Sequence, residues 1–184
     1  LICAMMTAIA IVREKENGTM EVLLASPMRP IFIILAKAVP YLTLSLVNFT
    51  SILLISVYLL DVPVAGSLGW LFVLSLLFIT VALSLGLLIS TIVDTQVAAM
   101  LASGMALIMP VVLLSGMIYP VENMALPLQW FSNIIPAKWY IVGVKKLMIE
   151  GLTVGSVVKE MALLSLMAAA LITISLKKFK KRLE

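Results

Sequence analysis

The residues able to do chemistry are few, and one stretch gathers a mixed-sign cluster of them. Arg13, Glu14, Lys15, Glu16 and Glu21 follow one another closely between two apolar runs. There is no histidine, which removes His-based general-base catalysis, Ser-His-Asp triads and the commonest zinc ligand together. Cys3 is the one cysteine, so no intrachain disulfide can form. No Gly-rich loop of the Walker type is present to cradle a phosphate. No basic run with interleaved aromatics suggests a nucleic-acid groove, and no nucleic-acid partner is expected. The expected catalytic and metal-ligating sets are therefore both empty. What remains is mechanical: a charged, amphipathic island that a greasy chain must hold in water at a bilayer face, where something soluble can grip it.

The chain around that island is oil. Of 184 residues, 63% are hydrophobic and only 12% charged, against about 25% charged in ordinary soluble domains. With a mean hydropathy of +1.21, a soluble fold of this size could not hide its apolar surface. An all-α integral membrane protein, a polytopic helical bundle, is expected. Leu1 is not an initiator Met and already lies inside an apolar run. The expectation is the C-terminal part of a longer protein, entered partway along a span. Leu1–Val12 is not read as a signal peptide, because charges stand where a cleavage site should be.

The elements that position the island follow in order. Residues 1–12 end a truncated span and 13–30 form the charged loop. Asn17-Gly18 breaks the helix, since glycine takes the left-handed conformation that closes a helix C-terminus. Thr19 can cap a new short helix with Glu21 in its first turn. Met20, Leu23 and Leu24 form its apolar face, and Ser26-Pro27 ends it. Two readings stay open at this level: a helix lying on the membrane surface, or a docking helix for a soluble partner. Residues 31–60 read as an interfacial helix, with Lys37 snorkelling to the headgroups, followed by a span from Pro40. Spans are also expected at 70–91, 97–119 and 160–176. Ala98, Ala102 and Ala106 at four-residue spacing, with Ser103 and Gly104 beside them, mark a helix-packing face, and Pro110 should bend that span. Residues 120–159, with three prolines and two tryptophans, read as surface or re-entrant helices. Residues 177–184 form a basic tail.

Counting cations tests the sidedness. Alternating spans put Arg13, Lys15, Arg29, Lys37 and the five cations of residues 177–182 on one face, against Lys138, Lys145, Lys146 and Lys159 on the other. The positive-inside rule makes the first face cytoplasmic. Trp70, Trp130 and Trp139, with Tyr58, Tyr119 and Tyr140, then lie near the outer interface.

On these residues a resemblance can be stated. Glu14-Lys-Glu-Asn-Gly-Thr-Met-Glu-Val-Leu-Leu-Ala-Ser-Pro27, followed by Pro30, Lys37 and Pro40-Tyr41, resembles the first cytoplasmic loop of ABC-2 type permeases. These are the membrane subunits of an ATP-binding-cassette exporter class. Leu114-Ser-Gly-Met-Ile-Tyr-Pro120 is similar to that family's outer segment, a likeness continued by Trp130, Pro136 and Lys145-Lys146. The spacing of Met124 and Pro127, and lysines where the family often has arginine, depart from the pattern.

The resemblance implies a cytoplasmic coupling helix and outer re-entrant helices. It implies ATPase-coupling roles for Glu14, Gly18, Thr19, Glu21, Leu23, Leu24, Ser26 and Pro27, and outer-gate roles for Ser115, Gly116, Pro120 and Pro136. It implies a separate ABC ATPase subunit carrying the ATP and Mg, with no cofactor in this chain, and a second permease subunit, identical or not. Localisation would be multi-pass in a cell membrane, the bacterial inner membrane. The implied activity is outward movement of amphipathic or drug-like substrates. A lipid or polysaccharide exporter permease of the same class, a secondary transporter and a non-transporting membrane scaffold are the alternatives.

Overall fold

The computed structural model describes residues 1–19, 30–63, 65–151 and 154–181. Among them every regular element is a helix. The order is α1 (Ile2–Glu16), α2 (Pro30–Tyr58), α3 (Leu68–Ile92), α4 (Gln96–Ser103), a π-helical turn (Gly104–Ile108), α5 (Met109–Leu114), α6 (Leu126–Ile134), α7 (Pro136–Met148) and α8 (Val158–Lys181). Four stretches among the described residues are long and apolar enough to cross a membrane: Ala36–Tyr58, Leu68–Ile92, Gln96–Leu114 and Val158–Ser175. The chain is thus an all-α polytopic bundle.

The bundle is built on α3. Burial runs the whole length of this helix, from Leu71 and Leu74 to Ile89 and Thr91. Two apolar clusters share it. At its start, Leu71, Leu74 and Val81 pack with Leu147 and Met148 of α7 and with Leu164 and Ala168 of α8. At its end, Ala82 and Ile89 pack with Ala4 and Ala8 of α1 and Leu107 of the π turn. In lipid, burying oil gains little, so helices associate through close van der Waals contact, which small residues permit. Gly86 shows how close: a Cβ there would lie 2.2 Å from the carbonyl oxygen of Ala4. Hydroxyls within the bundle turn back on their own helices and so remove a polar cost in hydrocarbon. Thr7 donates to the Cys3 carbonyl at 2.8 Å, and Ser75 to that of Leu71 at 2.8 Å.

The other spans are less enclosed. α2 runs unbroken through Pro40, and no residue of its Ala36–Tyr58 stretch is fully buried. Its large side chains, such as Val47, Ile52 and Ile55, face outward. The link from α2 to α3 is pinned to the end of α7. Ala65 N–H donates to the Met148 carbonyl at 3.2 Å, and Gly66 passes so near the Leu147 carbonyl that a Cβ would sit 2.4 Å from its oxygen.

The span carrying Pro110 contains a π turn just before the proline. Proline has no N–H to donate, and its ring crowds the carbonyl four residues back. Widening the preceding turn accommodates both within a continuing helix. α5 then stops at Leu114. Gly116 lies at φ +82°, a left-handed conformation that ends the helical run. Residues 115–119 form a turn before Pro120.

Candidate functional site

α1 closes where the sequence marks it. Asn17 N–H donates to the Arg13 carbonyl and Gly18 N–H to that of Lys15, both at 3.1 Å. Gly18 lies at φ +71° with open space where a Cβ would be, so its role is conformational. Thr19 Oγ1 donates to the Glu14 carbonyl at 3.2 Å, completing the cap of α1.

Successive residues of a helix point about 100° apart. The run Glu14-Lys15-Glu16 therefore fans out, and each member reaches a different helix. Glu14 forms an ion pair with Lys37 near the start of α2. Lys15 Nζ donates to the backbone carbonyl of Ser90 in the last turn of α3. Glu16 Oε2 accepts from Gln96 N at 2.9 Å and from Gln96 Nε2 at 3.0 Å. Gln96 opens α4, where Thr95 Oγ1 already accepts from Ala98 N at 3.2 Å. α4 thus has two N-terminal acceptors, one its own and one from α1, and the second is a carboxylate at the positive end of a helix dipole. A cleft of about 400 Å³ opens beside this fan, lined by the apolar Met6, Ile9 and Ala10 and the polar Arg13, Glu14, Lys37 and Gln96.

Of the residues assigned to ATPase coupling, Glu14, Gly18 and Thr19 meet at this cap. Glu21, Leu23, Leu24, Ser26 and Pro27 lie outside the described residues, as does the short helix expected to carry them. Lys37, read from sequence as reaching for the headgroups, pairs with Glu14, because α1 presents a carboxylate within reach. Lys15 and Glu16 were read from sequence only as charges of the island, and Gln96 was given no role. Helical phasing carried through the charges would have shown that they diverge toward separate neighbours.

In the third candidate span Ala102 packs at the edge of the cluster formed by Ala82, Ile89 and Leu107. Ala99, Ser103 and Leu107 are buried, Ala98 and Ala102 are half-buried, and Ala106 is exposed in this chain. Around the turn after α5, Ser115 is buried and Gly116 lies close to Val121, whose Cγ2 would be 3.1 Å from an added Cβ. Pro120 is exposed and precedes a single 3₁₀ turn, and Pro136 opens α7. Ser132 of α6 donates to the Leu114 carbonyl at 2.7 Å, which ties this region to the end of α5.

At the far end of α3 from Lys15, α7 and α8 make polar contacts that the sequence reading did not anticipate. Tyr140 stacks on Phe78 with centroids 4.4 Å apart, and its hydroxyl lies 3.0 Å from Ser75 Oγ. Lys146 Nζ donates to Glu160 Oε1 at 2.8 Å and to the Ser156 carbonyl at 3.0 Å. Glu160 is 2% exposed. Its place in the first turn of α8 adds the helix dipole to the support from Lys146.

Fold and site together define a polytopic membrane protein with a charged helix end coupled to three other helices. The family model for ABC-2 family transporter proteins matches residues 1–177, and the chain belongs to that family. It is 36% identical over 186 residues to a protein of Escherichia coli K12 named probable multidrug ABC transporter permease YbhS, covering 100% of this chain and 49% of that protein. It is 35% identical over 134 residues to probable multidrug ABC transporter permease YbhR of the same strain, covering 73% of this chain and 36% of that protein. A more distant relative, ABC transporter G family member 20 of Dictyostelium discoideum, is 30% identical over 145 residues, 79% of this chain and 20% of that protein. The chain spans about half the length of YbhS. No solved structure matches it.

Proposed function

We propose that this chain acts as membrane permease in an ATP-binding-cassette exporter that moves amphipathic or drug-like molecules outward. A separate ATPase subunit carrying ATP and Mg supplies the energy, and a second permease subunit completes the path. The segment from Arg13 to Pro27 is the grip on the cytoplasmic side, in a bacterial inner membrane. The observation that carries this reading is the fan at the end of α1. Glu14, Lys15 and Glu16 join the base of the grip to α2, α3 and α4, so a displacement of the grip loads three spans at once. The names of YbhS and YbhR, probable multidrug permeases, support the cargo class.

The chain's ionisable groups also favour an outside engine. Within the four candidate spans, Lys37, Lys159 and Glu160 stand near the starts of their helices. An ion-driven transporter needs such groups, or broken helices with free termini, near mid-membrane. The test is vesicle transport by the full protein with its ATPase partner. Glu21→Lys should leave insertion and folding intact while ATP hydrolysis loses its link to export. Undiminished export by that variant would overturn the coupling role, and export driven by an ion gradient without ATP would overturn the class of engine.

A further inference from the structure

At the end of the bundle away from the grip, two lysines converge on one tryptophan. Lys138 Nζ lies 5.5 Å and Lys159 Nζ 5.7 Å from the centroid of the Trp139 ring. The indole is itself fixed, its Nε1 donating to the Asn133 carbonyl at 3.0 Å. Lys138 also donates to Asn133 Oδ1 at 2.6 Å, a neutral acceptor. Lys37 pairs with Glu14 and Lys146 with Glu160. Among the described residues neither Lys138 nor Lys159 has a carboxylate at ion-pair distance, and the neighbouring Glu160 is committed to Lys146.

This arrangement is costly unless something negative joins it. Lys138 is in the first turn of α7 and Lys159 in the first turn of α8, where a helix dipole disfavours a cation. Burial, and secondly the charge of Lys159, hold the Lys138 ammonium below its ordinary pKa. The cation–ring contacts offset only part of the repulsion. An anion beside the two ammonium groups would relieve both the like-charge repulsion and the dipole penalty.

We infer that Lys138, Trp139 and Lys159 form a binding site for a phosphate group, filled by the headgroup of an anionic phospholipid. Depth favours the lipid as the source of that phosphate. The last candidate span begins at Val158, so Lys159 stands where α8 enters the bilayer, at headgroup level. Apolar side chains flank the cluster and face outward: Val158 is 55% and Ile134 69% exposed. They give acyl chains a surface while the phosphate meets the lysines. Indole at this depth has the amphipathic character that interfaces select. The site does not depend on which face of the membrane is cytoplasmic.

The experiment uses the full protein in phosphatidylcholine vesicles, with Trp70→Phe and Trp130→Phe leaving Trp139 as the fluorophore of this region; any tryptophan outside this chain is replaced likewise. Phosphatidylglycerol brominated on its acyl chains should quench Trp139 more than brominated phosphatidylcholine. Lys138→Gln and Lys159→Gln should each weaken the apparent affinity for phosphatidylglycerol about fivefold. The corresponding arginine variants should keep it, which separates charge from folding. Equal quenching by the two lipids, or a preference that survives the double glutamine variant, would overturn the inference. An emission change on adding inorganic phosphate to phosphatidylcholine vesicles, lost in the double glutamine variant, would reassign the site to a soluble anion and overturn the lipid assignment.

Discussion

Glu16 does with one carboxylate oxygen what two separate caps would otherwise do. Oε2 meets both the backbone and the side-chain nitrogen of Gln96, so its loss frees two donors at the start of α4. The contact is exposed, and Glu16→Ala should cost about 1 kcal/mol in thermal stability. Its effect on ATP-coupled transport should exceed that cost, and the double variant with Gln96→Ala should add little further; additive losses would show that the two residues act separately. The Lys146–Glu160 pair obeys a different rule because Glu160 is buried. Lys146→Met alone strands a carboxylate and should destabilise by about 3 kcal/mol, while adding Glu160→Gln should recover most of it, read as melting temperature in detergent. The types of these residues were legible in sequence, but their partners were not. Lys37 looked like a headgroup anchor because nothing local showed that Glu14, far back in the chain, would face it. Lys146 entered as a charge to be counted and as part of the outer-segment likeness, with no partner assigned.

At the scale of elements, hydropathy made the spans legible and left the contacts between them hidden. Apolar runs bounded by Pro, Gly and charge gave an all-helical bundle, which the structure has. The small-residue stripe was read from alanine spacing, with Ser103 and Gly104 beside it. Full burial falls on Ala99, Ser103 and Leu107, with Ala102 at the edge of the same cluster, because the facing helices choose which side packs, and a single helix does not contain that information. Glycines sort the same way. At Gly86 a methyl group would strike the Ala4 carbonyl at 2.2 Å, whereas at Gly104 nothing lies within 4 Å. Gly86→Ala should therefore destabilise by about 1–3 kcal/mol as α1 and α3 are pushed apart. Gly104→Ala should be close to neutral or gain a few tenths, about the helix-propensity difference offset by the π turn. Comparable melting temperatures for the two variants would contradict the packing described here.

For the whole molecule, the sidedness read from charge makes a direct prediction. Cys3 is buried, so a Cys3→Ser background suits single-cysteine labelling. Cysteines placed at Asn17 and Lys178 should react with a membrane-impermeant thiol reagent from the cytoplasmic side, and cysteines at Glu122 and Glu150 from the other. Labelling of all four from one side would break the topology on which the proposed direction of transport rests.

One dimension of α3 bears on how force could cross the membrane. Ser90, which receives Lys15, and Ser75, which meets Tyr140, are separated by about 22 Å along the axis. A rod gripped near both tips behaves like a see-saw. Rocking it by about 5° around its midpoint carries each tip about 1 Å, in opposite senses. A stroke too small to break any contact at one side would thus arrive at the other as a shift of similar size, with its direction reversed.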